Sequence, residues 1–274
     1  MRYLKRSLCL FLVCFLAYSG LDAQDIAEND SSGYLKVLTF NIFHGEIYSP
    51  EEGQTAANNL GIVSDIINSL KPDLVALQEV DCRTFRSSGV DLLTELALST
   101  KMYSLYGRAM KFDGGEYGLG ILSRYSFSST NVRPLFSPSG SEPRIALESK
   151  VVLDTGDTIR FVCTHLDHSR DSSIRNNQAK DLIKYFENDN FTTILAGDLN
   201  ARPGNKPIEI LTKKWIDSGQ EKTPEAGSFE AERRIDYILF SPQPLWRLIE
   251  NKIIYGRGAS DHNPVLSVFE IHKK

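Results

Sequence analysis

Acidic, amide and imidazole side chains stand where the apolar runs of this sequence begin or end. Asn41 lies near the close of the run 34–42, Gln78 and Glu79 near the close of 73–80, and Thr164 and His165 at the close of 158–165. Asp198 and Asn200 follow Thr193-Ile194-Leu195-Ala196, Asp236 opens a run through Leu239, and Asp261 and His262 stand directly before the last run. Packing requires none of these groups, and a charge buried without a partner costs several kcal/mol. Their recurrence suggests one convergent site in which a bound cation offsets the charge. Hard oxygen donors with one or two carboxylates suit Mg²⁺, which keeps its other positions for water and phosphate. The absence of clustered His/Cys spacings argues against zinc.

Taken singly, each piece has an ordinary explanation. Asp-x-Asn is a common turn or cap. Glu79 could end a strand at the surface, and a lone histidine is more often a satisfied structural residue. The ordered series is what points to a site.

The elements that must hold these residues alternate in type. Strands are predicted at 34–42, 73–80, 117–123, 145–153, 158–165, 192–196, 237–240 and 264–269. Asp154-Thr155-Gly156-Asp157 reads as a hairpin turn. Residues 55–70 carry Leu60, Val63, Ile67 and Leu70 at helical spacing, and 90–97 and 174–186 also read as helices. Asn205 and Pro207 mark a further helix start. Strand-dense α/β sequence that includes hairpins does not suit a purely parallel sheet. Two packed mixed sheets with helices outside suit it better.

Arg2, Lys5 and Arg6, the apolar run 8–18, and Ser19, Gly20 and Ala23 form the pattern of a secretory signal peptide over residues 1–23. The run is too short for a bilayer core of about 30 Å, and no later run is long enough to span. Cys14 lacks the small neighbours of a lipoprotein site. Residues 24–33 read as a polar lead-in and 34–274 as one domain. The predicted destination is periplasm, cell surface or medium, and a monomer is expected. Three cations and one anion leave with residues 1–23, so the remainder is more acidic than the formal −4 of the whole. That balance, without a dense basic stripe, does not advertise nucleic acid as partner. A bound divalent cation keeps it open. Cys82 and Cys163 read as structural thiols.

The runs Thr39-Phe40-Asn41-Ile42, Leu77-Gln78-Glu79-Val80, Gly120-Ile121-Leu122-Ser123, Thr164-His165-Leu166, Gly197-Asp198-Leu199-Asn200, Arg234-Ile235-Asp236-Tyr237 and Ser260-Asp261-His262-Asn263-Pro264 occur in one order. In that order the sequence resembles the endonuclease/exonuclease/phosphatase superfamily, over about residues 34–270. The resemblance implies a four-layer α/β sandwich and a metal-dependent phosphoester hydrolase, with Mg²⁺ as cofactor and Mn²⁺ as a substitute. By position, Glu79 resembles the principal metal ligand, with Asn41 close by and Asp261 contributing. Asp198 resembles the residue that orients or deprotonates the attacking water, and Asn200 the amide that positions phosphate and nucleophile. His262 resembles the phosphate-binding histidine held by Asp236, and His165 a histidine that assists the leaving oxygen. Such chemistry is self-consistent: charge built on phosphoryl oxygens is stabilised by a cation and an imidazolium.

The substrate is left open among small-molecule, lipid-linked and nucleic-acid phosphoesters. Arg83, Arg86, Arg144 and Arg202 are candidate anion contacts, and Tyr117 a candidate cleft residue. The run Thr164-His165-Leu166-Asp167-His168 resembles a bacterial exported branch more than the family's nucleases. Two departures are visible: Phe43 stands where some nucleases carry a polar residue near the metal, and the apolar membrane-inserting hairpin of the family's sphingomyelinases is absent. A nuclease, or a catalytically silent module on the same fold, are the alternative readings.

Overall fold

The structure is a computed structural model that describes residues 33–49, 58–220, 227–229, 233–255 and 258–272. The predicted signal peptide and nearly all of the lead-in lie outside the described residues. Among the described residues, no helix is long and apolar enough to cross a membrane.

Two six-stranded mixed sheets carry the fold. The first runs β11 (Trp246–Ile253), β12 (Val265–Ile271), β1 (Tyr34–Asn41), β2 (Leu74–Cys82), β4 (Gly115–Ser123) and β3 (Tyr103–Phe112). The second runs β5 (Phe127–Pro134), β6 (Ile145–Val152), β7 (Thr158–His165), β8 (Thr193–Asp198), β10 (Asp236–Phe240) and β9 (Ile216–Asp217). Each has one parallel pair at its centre, β1 with β2 and β7 with β8. Helices make those crossovers: α1 (Leu60–Leu70) joins the first pair and α3 (Ser173–Phe186) the second. The other helices are α2 (Leu92–Thr100) and α4 (Lys206–Leu211).

Three apolar clusters follow from this layering. Inner faces of both sheets meet through residues such as Val37, Ile121, Phe161, Ile238 and Phe269. Ile66, Ile67, Leu93 and Leu96 of α1 and α2 cover the outer face of the first sheet. Leu182, Phe186 and Leu211 of α3 and α4 cover the second. The order is therefore helix, sheet, sheet, helix, the predicted four-layer sandwich. Deleting a large inner side chain would cost about 2–5 kcal/mol.

The structure corrects several boundaries. Among the described residues helix α1 begins at Leu60, with Asn59 as N-cap, whose amide nitrogen lies 2.7 Å from Ile42 O, 2.9 Å from Glu46 O and 2.7 Å from Ala259 O; positions 55–57 of the predicted helix lie outside the described residues. Strands β3, β5, β9 and β11 were not predicted. Strands β3 and β5 show mostly exposed or half-buried side chains at sheet edges, and so lack the apolar alternation that marks a strand.

Candidate active site

The carboxyl ends of the two central parallel pairs open on the same side, a common place for sites in α/β folds. From the first sheet come Asn41 at the end of β1 and Glu79 in β2. Glu79 sits where the register of β2 against β4 shifts between Leu77 and Val80, and its φ is +57°. From the second sheet, His165 of β7, Asp198 of β8 and Asp236 of β10 lie side by side in register, His165 opposite Asp198 and Asp198 opposite Asp236. Asp261 and His262 arrive from the turn before β12. Gly197 lets β8 press against β7: its φ is +154°, and a Cβ there would lie 1.9 Å from Thr164 O. Asn200 (φ +48°) and His44 (φ +43°) also adopt left-handed backbone. Such strain clusters at functional sites.

The contacts are short. His262 Nδ1 lies 2.9 Å from Asp236 Oδ2, and its Nε2 3.7 Å from Asp198 Oδ2. Asp198 Oδ2 is 3.3 Å from His165 Nε2 and accepts from Asn41 Nδ2 at 3.3 Å. Asn41 Nδ2 also donates to Glu79 Oε1 at 3.1 Å, while its oxygen accepts from the Phe43 N–H. Asn41 thus ties an acid of one sheet to an acid of the other. Asn200 holds Asp198 through its backbone N–H at 2.8 Å, and its amide nitrogen reaches Leu166 O and His165 Nε2. Asn200 thus touches both Asp198 and His165 and also lines the cleft. Ser260 Oγ donates to Asn41 O and accepts from the His262 N–H, which locks the last turn onto β1.

Charge follows from these distances. Burial opposes charge on His262, but Asp236 and Asp198 outweigh it and raise the imidazole to about 10. Asp236 is itself pushed up by burial and by the charge of Asp198. A proton on this pair therefore resides on the imidazole. Burial would raise Asp198, yet His165, His262 and the Asn200 N–H hold it well below the usual carboxylate range. Burial is likewise outweighed at Glu79, which His44, His165 and Asn41 hold at about 2. Burial pushes Asp261 up, and the charge of Glu79 adds to that.

A cleft of roughly 400 Å³ exposes this group, with Glu79, Tyr117, Arg144, Asp198, Asp261 and His262 in its wall. Arg86 lines it too; Arg83 and Arg202 do not. Sequence reasoning missed His44, whose Nδ1 lies 3.3 Å from Glu79 Oε2, and Phe229, whose ring packs edge-on at 4.7 Å from the His262 ring. The left-handed turn at Phe43 and His44 brings the His44 side chain, not that of Phe43, to the acid. No pattern marked Phe229.

The chain matches a model described as "Endonuclease/Exonuclease/phosphatase family" over residues 38–262. It belongs to that family. No curated protein matches the chain. Among solved structures it is similar to an endonuclease/exonuclease/phosphatase from Beutenbergia cavernae, with 21% identity, 87% of this chain and 72% of that one covered, and a TM-score of 0.71. A mannosyl-6-phosphatase from Bacteroides thetaiotaomicron gives 17%, 86%, 99% and 0.66. The human nocturnin catalytic domain with bound sulfate gives 15%, 88%, 94% and 0.70. At these identities the likeness shows the fold.

The donor set fits the divalent metal on which members of the endonuclease/exonuclease/phosphatase family generally depend. Glu79 is ionised and partly open to the cleft, and Asp261 shares that wall, so hard oxygens face the space. Asn41 would add its oxygen only by turning over its amide. Asp198, Asp236 and His262 also lie close enough to hold an ion by spacing alone. An ion there would have to displace the contact between Asp236 and His262 Nδ1 and the proton on the ring.

Proposed function

We propose that this chain is an exported, Mg²⁺-dependent phosphoester hydrolase, a phosphodiesterase or phosphatase acting on a small or lipid-linked phosphoester. The carrying observation is the juxtaposition of Asp198 with His262, the imidazole backed by Asp236, at one wall of an open cleft. Glu79 and Asp261 would hold the metal. When bound, it neutralises charge on the phosphoryl oxygens.

The protein's own groups do the rest. Asp198 holds a water for in-line attack on phosphorus. A carboxylate held so low is a weak base, so it orients the water and accepts its proton as the new P–O bond forms. His262 donates Nε2–H to a non-bridging oxygen as negative charge grows there. His165, beside Asp198, is placed to supply a proton to the leaving oxygen as the old P–O bond breaks. Asn200 and Asn41 keep these groups in place.

Export is inferred from residues 1–23. A small substrate suits the acidic composition and the lack of a basic stripe. The test is turnover of a panel of phosphomonoesters and phosphodiesters in Mg²⁺, with EDTA and Asp198→Ala as controls. A loss of about 10²–10⁴ in rate is expected in Asp198→Ala with the fold retained. Full activity in that variant, or no turnover of any phosphoester by folded, metal-loaded protein, would overturn the reading. Nicking of supercoiled plasmid dependent on both metal and Asp198 would replace the small substrate with nucleic acid.

A further inference from the structure

Besides Arg233, the cleft carries two guanidinium groups that the reaction above does not use, Arg86 and Arg144. Arg86 is fixed from behind: Nε donates to Asp81 Oδ2 at 2.6 Å and Nη2 to Asp81 Oδ1 at 2.7 Å, and that carboxylate is fully buried. Its Cζ lies 4.6 Å from the Phe112 ring centre and 5.7 Å from that of Tyr117. Nη1 makes no hydrogen bond among the described residues, and about a third of the side chain (32%) is exposed.

Arg144 lines the same cleft wall as Tyr117. Its side chain is 4% exposed. Nη1 lies 3.2 Å from Glu142 and Nη2 donates to His168 Nδ1 at 3.3 Å, while Nε is buried with no partner. A buried donor left unpaired costs about 1–3 kcal/mol, and native structures rarely leave one without a reason. Apolar side chains would fill the same wall without that cost. Stacking and bidentate pairing hold the Arg86 guanidinium plane in advance, and Glu142 and His168 hold that of Arg144, which suits recognition of a phosphate or carboxylate.

We infer that Arg86 and Arg144, which line the same cleft as Tyr117, form a second oxyanion subsite, so that the substrate is a small phosphoester carrying a further phosphate or carboxylate that does not react. The inference rests on the phosphoester reading above and narrows its substrate class. The subsite lies in the same cleft as Glu79 and Asp198, which restricts the second anion to a neighbouring position on one compact molecule.

The test is calorimetric binding to Asp198→Asn protein in saturating Mg²⁺, so that affinity is read without turnover. The probes are fructose 6-phosphate, fructose 1,6-bisphosphate and 6-phosphogluconate. The bisphosphate is expected to bind at least ten-fold tighter than the monophosphate, and adding Arg86→Ala should bring the two within about two-fold. 6-Phosphogluconate separates the anion types: affinity near the bisphosphate marks a general oxyanion subsite, affinity near the monophosphate a phosphate-specific one. Because Arg86→Ala strands the buried Asp81, Arg86→Gln with Asp81→Asn removes both charges together and must give the same collapse of preference. Equal affinities in the parent, binding of none of the probes, or equal loss of mono- and bisphosphate in the Arg86 variants would each overturn the subsite. Failure of the hydrolase reading looks different: it is absence of wild-type turnover on any phosphoester.

Discussion

Replacing Asp236 by Asn isolates the charge behind His262. Asparagine is nearly isosteric, and its oxygen can still accept from Nδ1–H, so the ring keeps its orientation. What disappears is the nearer of the two anions that raise the imidazole from 6.5 to about 10. With Asp198 still 3.7 Å away, the imidazole stays raised to a lesser degree, so its charge is lost at lower pH than in wild type. The alkaline limb of kcat/KM should move to lower pH, and the ratio of wild type to variant should grow from pH 6 to pH 9. Stability must follow. In wild type this group's folded pKa lies above its unfolded value, so its contribution is fully present below pH 6.5 and is lost as pH rises through about 10. The upper bound is about 5 kcal/mol at 1.36 kcal/mol per tenfold, reduced because Asp236 itself is disfavoured by burial. Denaturant unfolding of metal-free wild type should therefore weaken between pH 6.5 and 10, and Asp236→Asn should flatten that slope. A wild-type-to-variant activity ratio that does not change with pH would refute the electrostatic account of His262.

Glu79→Gln should raise the Mg²⁺ concentration needed for half-maximal activity by ten-fold or more, read by metal titration, because it removes the ionised oxygen donor facing the cleft. Gly197→Ala should unfold at clearly lower denaturant, by several kcal/mol, since a Cβ 1.9 Å from Thr164 O forces β7 and β8 apart; an unchanged midpoint would contradict the close approach. Burial pushes the Cys163 thiol up to about 12. Iodoacetamide at pH 8 should therefore leave it unmodified in folded protein and label it after unfolding, as mass spectrometry would show.

Much of this architecture was legible because polar residues interrupt apolar runs at the points where the strands end. Asp236, His165 and Asp198 could be read from the sequence as strand-end groups. Their side-by-side register could not, since it depends on strand pairing across β7, β8 and β10. Helix α3 showed its apolar face, whereas β3 and β5 did not, because edge strands carry polar side chains into water. His44 stayed hidden because a left-handed backbone step, which no residue type there announces, decides where its ring points. The resemblance places Asn41 close to the metal ligand; which way its amide faces is decided by the fold, where the oxygen accepts from the Phe43 N–H and the nitrogen turns to the acids.

The imidazole of His262 precedes a strand of one sheet, and the carboxylate that charges it opens a strand of the other. Their 2.9 Å contact is therefore a gauge of how the two sheets lie face to face. Each ladder is sewn by its own backbone and would survive if one sheet slid past the other by a single residue, about 3.3 Å. That slip would separate His262 from Asp236 and Asn41 from Asp198 in one motion. A loosened form that keeps its strands and helices but loses the interlocking of its middle layer would look folded by circular dichroism and be inert. Heating should silence the protein before it melts its secondary structure.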